Sequence, residues 1–233
     1  MSLQKKFEQI LVNQAFGEIE PYRDSKKWET LTLNERELLG LLFIKEGEEL
    51  LKKGDSRVLD NFHLASEVAS HSPMVFFQQG VVYASQDQNI RCLTAARNAF
   101  EKAIAIDSNF FKAWHALSNV LVRIGIFYDD ASLFFEAEKK FAEMEKLTKE
   151  KNEKHSDAFY WHWGICWYYI GKHSGEAVDF YSALEKFRLA AEAGLENGEF
   201  YNDYGNVITE IACLMGRKEL FFDSIHYYRK CTT

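Results

Sequence analysis

The chain has 233 residues, 47% of them hydrophobic and only 2 of them proline, so it can bury a core and run in long helices. Its formal net charge of −7 argues against nucleic acid or an anionic membrane surface as the main partner. The 4 cysteines, Cys92, Cys166, Cys213 and Cys231, make no CxxC pair and fall within helical patterns, as structural thiols of a reducing compartment would.

The first 16 residues, MSLQKKFEQILVNQAF, carry a polar residue every few positions. They lack the apolar run of a signal peptide, and no later stretch is long enough to span a bilayer, so a cytoplasmic location is expected. Residues 3–16 read as an amphipathic helix with Leu3, Phe7, Ile10 and Leu11 on one side, ended by Gly17 and Pro21. Residues 18–32 are polar around Trp28 and read as a linker packed on the next unit, with Thr32 or Asn34 as a helix cap.

From Asn34 onward a period near 40 appears: Gly40, Gly80, Gly164 and Gly205 each lie inside an apolar helix, with Ser118 in the slot between. A glycine inside a helix costs about 1 kcal/mol relative to alanine. At a fixed period it marks the place where a neighbouring helix approaches closest. The second helices repeat as well. FFEAEKKF begins at Phe134, FYSALEKF at Phe180 and FFDSIHYY at Phe221, each with a small residue followed four later by an aromatic: Ala137/Phe141, Ala183/Phe187 and Ser224/Tyr228. Ala96/Phe100 is the earlier copy, completed by Ala103, and Phe62/Ala65 reads as a fainter copy of the aromatic–small part. From the slot to the small residue of this lock is 19 residues in the last three units and 16 in the second, which suggests longer helices rather than three unrelated loops. The expected organisation is an N-terminal helix and linker (1–33) and units 34–70, 71–108, 109–154, 155–195 and 196–233. The run 146–154 reads as a solvated helix end or loop.

The regular joint RNAFEKAIAIDSNFFKAWHAL, 97–117, resembles the tetratricopeptide repeat, a helix–turn–helix unit of 34 residues. The resemblance covers about residues 34–233 with lengthened units and is faintest before residue 70; Sel1-like arrays, with longer units, share the periodicity. It implies an all-α helical-repeat solenoid of about five antiparallel helix pairs, a right-handed superhelix with the N-terminal helix as a cap. It also implies a concave groove, lined by the first helix of each pair, that binds a peptide or partner helix. Residues three before, one after and four after each slot would face that groove. These are Phe77, Val81 and Ala84; His115, Asn119 and Val122, with Arg123 adjacent; Trp161, Ile165 and Tyr168, with Tyr169 adjacent; and Asn202, Asn206 and Thr209, with Glu210 adjacent. Asn119 and Asn206 stand where peptide-gripping members often carry an asparagine. Phe77 and Asn202 stand where chaperone-binding members carry lysine-type residues, which argues against a carboxylate clamp and an Hsp90-type tail.

The densest aromatic stretch is FYWHWGICWYY, 159–169. Tyr160, Trp163 and Trp167 share the packing face with Gly164, while Trp161, Tyr168 and Tyr169 fall off it and are candidates for a contact surface. His162 and Cys166 have metal-ligand spacing, but further ligands would have to fold in, so no metal and no cofactor is expected. His115 with Arg123 is a candidate anion site. No nucleophile–base pair stands out, and Asp130 suits a helix cap, so catalysis is not expected. The reading is a non-catalytic protein-interaction module or scaffold. A structural segment of a larger assembly is the alternative, with self-association through an uncapped last helix that exposes Phe221, Ile225 or Tyr228.

Overall fold

The computed structural model describes residues 2–86, 89–151 and 155–231. The described residues are all-α, with no strand among them: α1 (Leu3–Asn13), then five antiparallel pairs. The pairs are α2 (Leu33–Lys52) with α3 (Val58–Val68), α4 (Pro73–Ala84) with α5 (Ile90–Ile106), α6 (Phe111–Tyr128) with α7 (Ala131–Glu150), α8 (Asp157–Ser174) with α9 (Ala177–Glu192), and α10 (Gly198–Met215) with α11 (Leu220–Lys230). This is a tetratricopeptide-like helical-repeat fold. The chain forms two compact units, Met1–Ala113 and Trp114–Thr233. Among the described residues no helix is long and apolar enough to cross a membrane.

In the first unit α1 packs on α2 through Phe7 and Ile10. It stops at Asn13, earlier than its apolar pattern suggests, because Gln14 turns left-handed (φ 53°) and its N–H closes on the Ile10 carbonyl. The expected linker is two short 3-10 segments, Phe16–Tyr22 and Ser25–Thr30. Buried Ile19 and Trp28 pin them, and the Trp28 indole N–H donates to the Tyr22 carbonyl at 2.8 Å. Thr32 caps α2 in a capping box with Glu35.

What joins each pair is a glycine in the first helix facing an aromatic ring in the second. A Cβ added at Gly80 would lie 2.5 Å from Phe100, one at Gly164 2.3 Å from Phe187, and one at Gly205 2.6 Å from Tyr228. A second seat lies seven residues on, two helical turns along the same face. Gly125 faces Phe134 at 2.6 Å and Gly171 faces Phe180 at 3.0 Å. The lock residues Ala96, Ala137 and Ala183 are fully buried beside these seats. Ala183→Leu is therefore expected to cost on the order of 1–3 kcal/mol by overpacking, read as a lower midpoint in urea with an unchanged slope.

The first pair corrects the expected register. Phe62 does not occupy the place of Phe100; it sits over Gly47, at 2.5 Å from an added Cβ, as Phe134 and Phe180 sit over the second seat of their partners. The first seat, Gly40, meets Ala69 at 2.9 Å instead of an aromatic ring. An aromatic followed three later by alanine occurs at both seats of this design, so Phe62/Ala65 fits either one, and only the partner helix decides.

The constant spacing of the last three units comes from longer first helices. Gly80 lies four residues before the end of α4, whereas Ser118, Gly164 and Gly205 lie ten residues before the ends of α6, α8 and α10. The turns that follow α6 and α8 are two residues each. The added length is thus about one and a half helical turns of wall. The charged run 146–154 belongs to the end of α7 as far as Glu150; residues 152–154 lie outside the described part.

Candidate functional site

Within the second unit the first helices α6, α8 and α10 line a cavity of about 340 Å³. Asn119, Val122 and Arg123 come from α6, Ile165, Tyr168 and Tyr169 from α8, and Asn206 from α10. Helical phase assigns all of these to one surface. The wall also includes Ile126, His162, Phe187 and Asp203, which phase did not single out. Asp203 is one residue beyond Asn202 and so points about 100° away from it. Its membership depends on how α10 sits against α8, which local sequence does not report.

Trp161 and Asn202 line an adjoining, more open cavity of about 780 Å³ with Glu199 and Asp203. The Trp161 indole N–H donates to Asp203 Oδ2 at 2.9 Å, and its ring stacks on His162 with centroids 5.3 Å apart. Burial pushes the Asp203 carboxyl above its usual value, partly offset by the Trp161 hydrogen bond. Asp203 therefore belongs to both cavities and joins them.

Asn206 is oriented by its neighbour. The Tyr228 hydroxyl donates to Asn206 Oδ1 at 2.9 Å, which leaves the amide N–H groups available as donors. Burial raises both Tyr168 and Tyr169 above the usual phenol value, so both present neutral hydroxyls. Lys172 of α8 and Glu210 of α10 form a 2.7 Å ion pair.

His115 is not an anion ligand beside Arg123. Its Nε2 lies 2.8 Å from His162 Nδ1, and it contacts the rings of Phe141 and Phe159. Burial holds His115 down at about 3 and His162 at about 4, so both are neutral and share one hydrogen bond. His162 faces His115, while the Cys166 thiol donates to the Phe134 carbonyl at 3.2 Å, so the two do not converge on a common point. Among the described residues no three His, Cys, Asp or Glu side chains are placed to hold a metal ion. Burial also raises the Cys166 thiol, the reverse of what a nucleophilic cysteine needs.

Phe77 and Val81 belong to the first unit. Phe77 is half-buried against Phe100 and Phe110, whereas Val81 is exposed. In the last pair Tyr228 does not face outward as expected, because it fills the seat of Gly205. The most exposed large apolar side chain of α11 is Phe222, 76% accessible, with Ile225 beside it on the outer face.

The fold and these surfaces define a helical-repeat protein with a lined cavity on its first helices. Two solved structures of MamA have a similar fold: "MamA 41-end from Desulfovibrio magneticus RS-1" and "MamA RS-1 ArsTM double mutant". Each aligns with a TM-score of 0.55 and 14% identity over 83% of this chain, covering 93% and 94% of the respective MamA chains. At that identity the likeness is one of fold. No protein-family model and no curated protein matches the sequence.

Proposed function

We propose that the chain is a non-catalytic interaction module of tetratricopeptide type that holds a peptide or partner helix against the first helices of its second unit. The observation that carries this reading is the convergence of Asn119, Arg123, Ile165, Tyr168, Tyr169 and Asn206 on one cavity. Amide and phenol groups fix a backbone, and the aliphatic and aromatic walls receive side chains. Trp161 and the Asp203 carboxyl extend the same surface toward Asn202. A cytoplasmic setting, with its four thiols reduced, belongs to the same reading.

The test is affinity capture from the native cell with the wild-type chain and with the double variant Trp161→Ala, Tyr168→Ala. Capture should be lost while helicity by circular dichroism is unchanged. Recovery of the same partner by the variant would sink the groove assignment.

A second reading, self-association through the last pair, is favoured by exposed Phe222 and Ile225. Light scattering separates the two: Phe222→Asp should reduce the particle mass under this reading and leave it unchanged under the first.

A further inference from the structure

A separate cleft of about 470 Å³ lies among α9, α10 and α11 in the second unit, and shares no residue with the cavity described above. Its most buried lining residues are Ile208 and Ile211 of α10. One wall is a parallel pair of rings, Tyr204 on Tyr227, with centroids 4.2 Å apart and planes within 10°. Arg217 and Asp223 stand on the exposed rim, with His226 beside them. Arg217 is brought there by the end of α10: Gly216 turns left-handed (φ 62°) and the Arg217 N–H closes on the Ala212 carbonyl at 3.0 Å.

The rim carries the recognition. Arg217 and Asp223 line one cleft, yet they do not pair with each other, and neither side chain has a hydrogen-bond or ion-pair partner among the described residues. An apolar, aromatic-walled cavity with one solvated cation and one solvated anion at its mouth, neither tied up by another side chain, is complementary to a zwitterion bearing a large flat apolar group. We propose that this cleft binds a free aromatic α-amino acid. The carboxylate meets the Arg217 guanidinium, the ammonium meets the Asp223 carboxylate, and the ring lies on the Tyr204–Tyr227 stack above Ile208 and Ile211. The size fits, since small-molecule sites run from about 300 to 1,000 Å³.

The probe is L-tryptophan, followed by saturation-transfer NMR and calorimetry on the full chain. L-Tryptophan should bind, with transfer strongest at the indole ring. Arg217→Gln should weaken L-tryptophan at least tenfold and leave tryptamine, which has no carboxylate, unchanged. Asp223→Asn should weaken L-tryptophan at least tenfold and leave 3-indolepropionate, which has no ammonium, unchanged. Both substitutions are on the exposed rim and leave the core intact. The groove variant Trp161→Ala, Tyr168→Ala should bind L-tryptophan as the wild type does, so this result stands apart from that of the capture experiment. Absence of transfer from L-tryptophan would overturn the assignment. So would equal binding of N-acetyl-tryptophanamide, which has neither charge and would report a merely apolar cleft.

Discussion

Gly164→Ala is expected to lower the stability of the second unit by about 2–3 kcal/mol, or roughly 5–10 °C in Tm. The local effect of the change is favourable: alanine gains about 1 kcal/mol over glycine inside a helix. The packing effect opposes it and wins. The new Cβ would stand 2.3 Å from both Cδ1 and Cε1 of Phe187, far inside contact distance. The Phe187 ring has no accessible surface and packs on Phe200 and Tyr204 of α10, at 5.9 and 5.8 Å, so moving it aside disturbs those contacts. Thermal unfolding followed by circular dichroism measures the loss. A second substitution tests its cause, because Gly164→Ala with Phe187→Leu should cost less than the two single changes added together. Gly17→Ala is the control: nothing lies within 4 Å of a Cβ there, and the stability should be unchanged. Strict additivity of the 164/187 pair would remove the ring from the explanation.

The second large effect is acid sensitivity centred on His115 and His162. Both are held neutral in the folded chain, at about 3 and about 4, against an ordinary value near 6.5. The unfolded chain takes up these protons first, so stability falls as pH falls through 6.5 and continues to fall until the folded-state values are reached. Above pH 6.5 the pair costs nothing. At pH 5 each histidine contributes a loss of up to about 2 kcal/mol, and partial contact with solvent brings the sum for the pair to about 2–4 kcal/mol. Urea titrations at pH 7 and pH 5 read this difference. The double variant His115→Gln, His162→Gln should show a flatter dependence over the same interval, even if it is less stable at pH 7. An acid limb as steep as that of the wild type would place the proton uptake elsewhere.

The parts of this molecule that depend on one helix at a time were legible in the sequence. The internal glycines and the small–aromatic pairs identified the joints, Asp130 was recognisable as a cap, and helical phase put Asn119, Arg123, Ile165, Tyr168, Tyr169 and Asn206 on one side of their helices. What depends on two helices was not. Phase placed His115 on the open surface, but it pairs with His162 of the next first helix; phase put Trp161 at an open cavity, but did not give its hydrogen bond to Asp203 of α10. The axial offset and rotation between α6, α8 and α10 decide those partners, and no spacing within a helix encodes them. Phe62 failed for a related reason, since its local pattern fits two seats a heptad apart.

The two-seat joint also sets the order in which the second unit comes apart. The pairs α6–α7 and α8–α9 have a glycine at the second seat, Gly125 and Gly171, each filled by a ring. The last pair has Ala212 in that place, and α11 runs for only 11 residues with Ser224 as its one fully buried side chain. Its one glycine seat is Gly205 under the Tyr228 ring, supported by the Tyr204–Tyr227 stack and the Tyr228–Asn206 hydrogen bond. α11 packs chiefly on α10, so opening it breaks one helix–helix joint where opening α9 or α10 breaks more, and it is expected to be the easiest local excursion of this unit. Its amides are the first to meet solvent, and the cleft beside Tyr227 exists only for the fraction of time that this helix is closed.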